Sequence, residues 1–328
     1  MRSFLLLILI VLILALLVVK VAPWARMQQA FTALVAPTST EAPCTGMAPS
    51  PDYYASGSEQ QAIAAINTAR MREGLPGLSL PPDYWKLSPT EQQFTLVNLE
   101  RSSRGLQPLQ WDANLAHLAT AYSQQMVQLH FFAHDSPISG GFPARLEANP
   151  QIATHYQTIA ENLAGNRAPA AGAIYEYLYN DAAEQCSHRQ NILNPAFQLI
   201  GIGVAPGGPW GAISTQEFLA PDPISPYRGT PPNTTPPKLH LATQQTTSPD
   251  GLTLTAQAVD SQAILQITWF LDDTQHAAHL GETWAIAAST LTPGVHHLTV
   301  YAVDVSQNFS TATRSLTVGP DGTVLAGK

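Results

Sequence analysis

The rhythm of hydrophobic and polar positions changes several times along this chain, and each change marks a boundary. Phe4 to Val19 is an unbroken apolar run, preceded by Arg2 and followed by Lys20. Its length approaches the ~20 residues needed to cross the hydrocarbon of a bilayer. The run gives way not to an immediate small-residue cleavage site but to Trp24 and Arg26, which suit a membrane interface. The pattern predicts an uncleaved transmembrane signal-anchor over residues 1–23, with cleavage near Ala36 as the alternative. Residues 24–58 read as a Pro/Ser/Thr-rich stalk.

Helical text begins at residue 59. Gln61 to Glu73 and Thr90 to Arg104 are rich in helix formers and end at Gly74-Leu75 and Gly105-Leu106, which are stop signals. Asn67-x-x-Arg70-x-x-x-Gly74-Leu75-x-x-Leu78 recurs as Asn98-x-x-Arg101-x-x-x-Gly105-Leu106-x-x-Leu109. Two copies are too few for a solenoid, so two helix ends capped alike are expected. Asp112 is a candidate N-cap, and Leu115, Leu118, Ala119, Tyr122, Met126 and Leu129 come after it at helical spacing. Another helix is expected over 170–180. The period then shortens to two over 198–205 and 210–219, around the turn Gly207-Gly208-Pro209. Residues 59–220 therefore predict an α+β domain with helices flanking a short antiparallel sheet.

A proline-rich linker, 221–237, leads into strand-like alternation over 238–319. Leu252, Leu254 and Ala256 form one inward set, Leu265, Ile267, Trp269 and Leu271 a second, and Leu298, Val300 and Ala302 a third. An all-β sandwich with Trp269 at its centre is expected, followed by a tail over 320–328. A length of 328 residues allows a full core in each of two domains. Charged residues make up only 12% and the net charge is −8, which excludes the basic footprint of a nucleic-acid binder. Cys44 and Cys186 are a disulfide candidate in an exported chain, with two free thiols as the alternative. The bridge would close a long loop, worth about 5 kcal/mol in the chain-entropy account before strain. Neither cysteine sits in a CxxC, so metal ligation by them is not expected.

Three dense patches carry candidate chemistry: Phe132-Ala133-His134-Asp135-Ser136-Pro137, Ala160-Glu161-Asn162, and Ser187-His188-Arg189-Gln190-Asn191-Ile192-Leu193. Two imidazoles and a carboxylate brought into one cleft can hold Zn²⁺ or another divalent metal with one position open, or a ligand with no turnover. There is no HExxH, and turn capping accounts for Ser136 and Ser187. With Asn98-x-x-Arg101…Gly105-Leu106-x-Pro108-Leu109-x-Trp111-Asp112, Arg145 and Gly201-x-Gly203-Val204-Ala205, these patches fall in a fixed order over about 90–220. That order resembles the CAP superfamily (SCP domain) of cysteine-rich secretory, antigen 5 and pathogenesis-related proteins, in its bacterial branch. The resemblance implies an α-β-α sandwich whose ligand cleft carries His134, Glu161 and His188, with a divalent metal at the histidines in some members. Asp181 is the candidate for the fourth cleft position and Glu184 the second choice. The region ending in Ala302-Val303-Asp304…Asn308 resembles bacterial Ig-like domains.

Together these features predict a single-pass cell-membrane protein with its bulk outside the cytoplasm, binding a lipid, a peptide or a cell-wall component. One rival is a secreted metal-assisted hydrolase with Glu161 as general base. The other is surface adhesion through the C-terminal sandwich.

Overall fold

Two helix exits built from the same bonds open the described part of the fold. In a computed structural model, residues 57–229, 231–245, 251–272, 278–321 and 323–326 are described. The apolar run at 4–19, most of the stalk and Cys44 lie outside them. Helix α1 (Glu59–Arg72) is capped by Ser58, and α2 (Pro89–Ser103) by a Ser88/Glu91 capping box with Pro89 at the first helical position. After α1, Leu75 N–H donates to Arg70 O at 2.9 Å, and Leu106 N–H after α2 donates to Arg101 O at 3.0 Å. Gly74 and Gly105 adopt φ of 75° and 74°, a left-handed turn that disfavours any side chain. Asn67 and Asn98 each accept from a leucine N–H eleven residues on, at 2.7 Å. Arg70 and Arg101 each donate Nε to a carbonyl six residues on, at 2.8 Å. The repeated sequence pattern is thus a repeated cap. Beyond it the two guanidinium groups diverge, Arg70 to Glu100 and Arg101 to the carbonyl of Ile192.

The next elements build a four-stranded sheet in the order β1 (Gln110–Trp111), β5 (Leu199–Pro206), β6 (Ala212–Pro221), β4 (Tyr156–Gly165). Only the β1–β5 pairing is parallel. Helix α3 (Ala113–Gln128), capped by Asp112 as the sequence predicts, lies on one face. It approaches the backbone of β5 closely: a Cβ on Gly203 would sit 2.1 Å from Thr120 N, and one on Gly201 2.1 Å from Ala116 N. The opposite face carries Ile200, Ile202 and Phe218 against residues of α1, α2, α5 (Ala171–Tyr179) and α6 (Ser187–Leu193). Helix α5 lacks a cap of its own, and Glu59 at the start of α1 accepts from the N–H groups of Ala170 and Ala171 instead. Two two-residue strands, β2 (Asp135–Ser136) and β3 (Gly140–Gly141), and a short helix α4 (Ala144–Glu147) lie between α3 and β4.

The C-terminal region contains β sheets. One has five strands in the order β10 (His279–Leu280), β9 (Ile264–Leu271), β12 (Gly294–Asp304), β13 (Phe309–Val318), β14 (Val324–Ala326). The other has three, in the order β11 (Thr283–Ala287), β8 (Gly251–Val259), β7 (Lys238–Gln245). Trp269 is fully buried between them with Leu254, Val300 and Leu316. Two details depart from the sequence reading. The segment taken as a tail supplies β14. Leu265 leaves the inward set of β9 because Val303 pairs with Gln266 and Asp304 with Ile264, so Leu265 bulges out between them. It packs with Leu129, Ile138, Phe270 and Val303, a cluster shared with the helical region.

The described residues belong to one compact unit. At the seam, Gln125 on α3 donates to Gln307 O at 3.3 Å and Gln307 donates to Arg145 O at 3.4 Å. His117 meets Asn308 Oδ1 at 2.9 Å.

Candidate functional site

Strand β4 is an edge of its sheet, and consecutive residues on it point to opposite faces. That alternation decides where the sequence-predicted residues go. Glu161 points to the α3 side, where its Oε1 meets His134 Nδ1 at 2.7 Å and its Oε2 accepts from Arg145 Nη2 at 2.5 Å. Asn162, on the other side, donates to the backbone oxygen of His188 at 3.2 Å. His188 Nδ1 meets Asp181 Oδ1 at 2.6 Å. Asn191 ties the two halves together, donating to Asn162 Oδ1 at 2.8 Å and to Glu161 O at 3.5 Å. The structure therefore forms two histidine–carboxylate pairs on either side of β4, and His188 faces Asp181 rather than Glu161. Glu184, the second choice for the fourth position, is exposed.

The pairs differ in access. The His134 side chain is 51% exposed over a fully buried Glu161, whereas that of His188 is 15% exposed. An ionised carboxylate only accepts, so each Nδ1 carries the hydrogen and Nε2 is the ring nitrogen left for another group. Among the described residues neither ring is bonded to a serine or cysteine that would act as a nucleophile.

Cys186 is buried and disulfide-bonded. The chain has one other cysteine, Cys44, outside the described residues. Gln185 and Cys186 both take left-handed φ, 55° and 61°, immediately before α6 carries His188 into place.

Two functional neighbours escaped the sequence reading. Arg145 stands in the motif set, but nothing in the sequence says that its guanidinium lies 3.4 Å over the ring of Tyr122 and serves Glu161. Glu217 pairs across the β4–β6 ladder with Glu161 and is fully buried. Its signal was a lone carboxylate inside the otherwise uncharged strand Ala212–Pro221. Arg145 Nη1 lies 3.7 Å from Glu217 Oε1. Burial raises the Glu217 carboxyl well above the usual range, the Glu161 charge adds to the rise, and Arg145 opposes it. Burial also pushes Glu161 up, but Arg145 and the bond from His134 outweigh it and hold it below the usual range. The two acids beside this one guanidinium are thus shifted in opposite directions.

The two shifts act on stability in opposite senses. Above the unfolded pKa of a glutamate, about 4.3, the native state keeps a proton on Glu217 that the unfolded state has lost. Its contribution is therefore complete at low pH and declines as pH rises toward the folded value. The Glu161 contribution is present above that pKa and is lost as pH falls through its lowered folded value. Glu217→Gln is expected to remove the decline while keeping the shape of the neutral acid. Urea midpoints measured from pH 5 to 8 check this, and a variant whose midpoint falls with pH as steeply as the wild type would count against it.

A zinc ion held by side chains takes three or four of them. Among the described residues no group of three His, Cys, Asp or Glu is placed to hold a metal. Among the described residues the two histidine–carboxylate pairs do not by themselves fit a resident metal. Nor is any described helix long and apolar enough to cross a membrane.

Residues 94–218 match the CAP family, described as the cysteine-rich secretory protein family. Two relatives come from Bacillus subtilis (strain 168). The uncharacterized protein YkwD is 34% identical over 113 residues, 34% of this chain and 40% of YkwD. The uncharacterized membrane protein YlbC is 30% identical over 96 residues, 29% of this chain and 25% of YlbC. The chain thus matches less than half the length of either. Among solved structures, an extracellular SCP-domain protein from Bacillus anthracis str. Ames is 31% identical, covering 43% of this chain and 44% of that one, with a TM-score of 0.33.

Proposed function

We propose that the chain, whose residues 94–218 match the CAP family, is a membrane-tethered, extracytoplasmic protein with a CAP domain of bacterial type that binds a cell-wall component. The apolar run at 4–19 would be the tether, the helix–sheet–helix layers an α-β-α sandwich, and the C-terminal sheets an Ig-like module. YlbC is named as a membrane protein and the Bacillus anthracis relative as extracellular, which supports this placement.

One observation carries the reading: His134 is half exposed while its Nδ1 is tied to a buried acid. Such a ring is fixed in tautomer and orientation, with Nε2 presented to a hydroxyl or amide of a bound molecule. A general base needs a nucleophile or a positioned water to act on, and the described residues supply no side-chain nucleophile.

Sedimentation of the full chain with purified bacterial sacculi tests this. The wild type should co-sediment, and His134→Ala/His188→Ala should cut the bound fraction at least ten-fold; equal sedimentation of the two would overturn the proposal. Release of soluble fragments from sacculi by the wild type but not by Glu161→Gln would establish the hydrolase instead.

A further inference from the structure

Phe132 and Trp210 are both 41% exposed, yet neither is loose. Their rings meet edge to face with centroids 4.8 Å apart. The Trp210 indole packs against Gly165, where a Cβ would come within 2.3 Å of the ring. The turn that delivers it is closed by Gly207 N–H to Gly211 O at 2.9 Å and uses left-handed glycines at 207, 208 and 211. On the Phe132 side, Tyr122 Oη donates to Ala133 O at 2.7 Å and fixes the segment running to His134. Backbone anchoring therefore holds two large apolar rings in solvent, an arrangement that folding alone does not require.

Gly165 lies four residues beyond Glu161 on β4, so both positions point to the same face. At ~3.3 Å per residue, the aromatic pair stands about 13 Å along the strand from the acid that holds His134. Asp135, next to His134 in the chain, and Arg167, against Gly211, are both exposed. The surface therefore combines flat apolar faces with spaced donors and acceptors. A pyranose has one face of C–H groups that rests on an aromatic ring, and a rim of hydroxyls that hydrogen-bond to imidazole, guanidinium and carboxylate. An acyl chain would gain little from two rings flanked by charges. A peptide strand adding to β4 would meet Asn191, which already donates to the carbonyl of Glu161 at that edge.

We propose that Phe132 and Trp210 form a stacking subsite for a sugar ring of a linear glycan whose chain continues to His134. This rests on the binding reading above and names its ligand class. The test titrates the full chain with a hexamer of β-1,4-linked N-acetylglucosamine, followed by calorimetry. Saturable binding is expected, weakened at least ten-fold in Trp210→Leu and in Phe132→Leu, restored in part by Trp210→Phe, and unchanged in Trp85→Ala, which removes an exposed indole elsewhere. No saturable binding by the wild type, or Trp210→Leu equal to wild type, overturns the subsite. Sacculus sedimentation separates the two proposals. Loss in the double histidine variant with normal Trp210→Leu leaves the binding reading standing without the subsite. Loss in Trp210→Leu alone leaves the subsite without the histidine reading.

Discussion

Arg145→Met destabilises the folded chain by about 3–5 kcal/mol, the cost of removing one partner from a buried ion pair. The side chain is 1% exposed and faces two carboxyls that are completely buried. Methionine keeps much of the volume, so the loss reads the charge rather than a cavity. Glu161 is then left without its guanidinium, keeping only its bonds with His134 and Glu217, and Glu217 loses the group that opposes its upward shift. Adding Glu161→Gln to Arg145→Met should recover part of the loss, because the stranded charge disappears with it. Urea unfolding of the two single variants and the double variant measures the coupling. Simple additivity would mean that guanidinium and carboxylate do not stabilise each other.

A second large effect belongs to a position with no side chain at all. Gly203→Ala places a methyl group 2.1 Å from Thr120 N and 2.3 Å from Ala119 C, both backbone atoms that cannot rotate aside. Helix α3 must back away from β5, opening the layer that holds Leu115, Leu118 and Tyr122. Overpacking ordinarily costs about 1–3 kcal/mol and more when the obstacle is main chain; a loss above that range, with poor soluble yield, is expected. Gly77→Ala is the control: its Cβ would meet Asn67 Oδ1 at an ordinary 3.5 Å, and it should change stability by less than about 0.5 kcal/mol. Equal denaturation midpoints for Gly203→Ala and wild type would show that the helix does not ride on bare backbone.

The sequence carried the local part of this structure and missed what depends on register and packing. Asp112 as a cap, the twin exits at Gly74 and Gly105 and the buried Trp269 follow from short-range rules, because each is settled within a turn or a strand. His134, Glu161 and His188 were legible as residues, yet not their division into pairs, which depends on which way β4 presents positions 161 and 162. Asp181 was a choice between two acids that spacing did not separate. Glu217 reads along the chain as one polar residue in a strand; only the pairing of β4 with β6 sets it beside Glu161. Leu265 was assigned by strict alternation, which a bulge breaks without any local mark. Gln307 lies just past the end of β12, and nothing nearby in sequence says that it reaches Arg145.

That last contact bears on how the molecule is dissected. Proline-rich stretches between structured regions are customary places to cut a chain into separately expressed pieces. Here Tyr227 donates to Asp112, Asn308 donates to the Asn233 carbonyl, and Ser310 donates to that of Pro237. A fragment ending near residue 220 would expose Leu129 and Ile138 to water and remove the support beneath Arg145. Truncation would then dull the histidine surface without touching a histidine, and its silence in a ligand screen would be misread as lack of affinity.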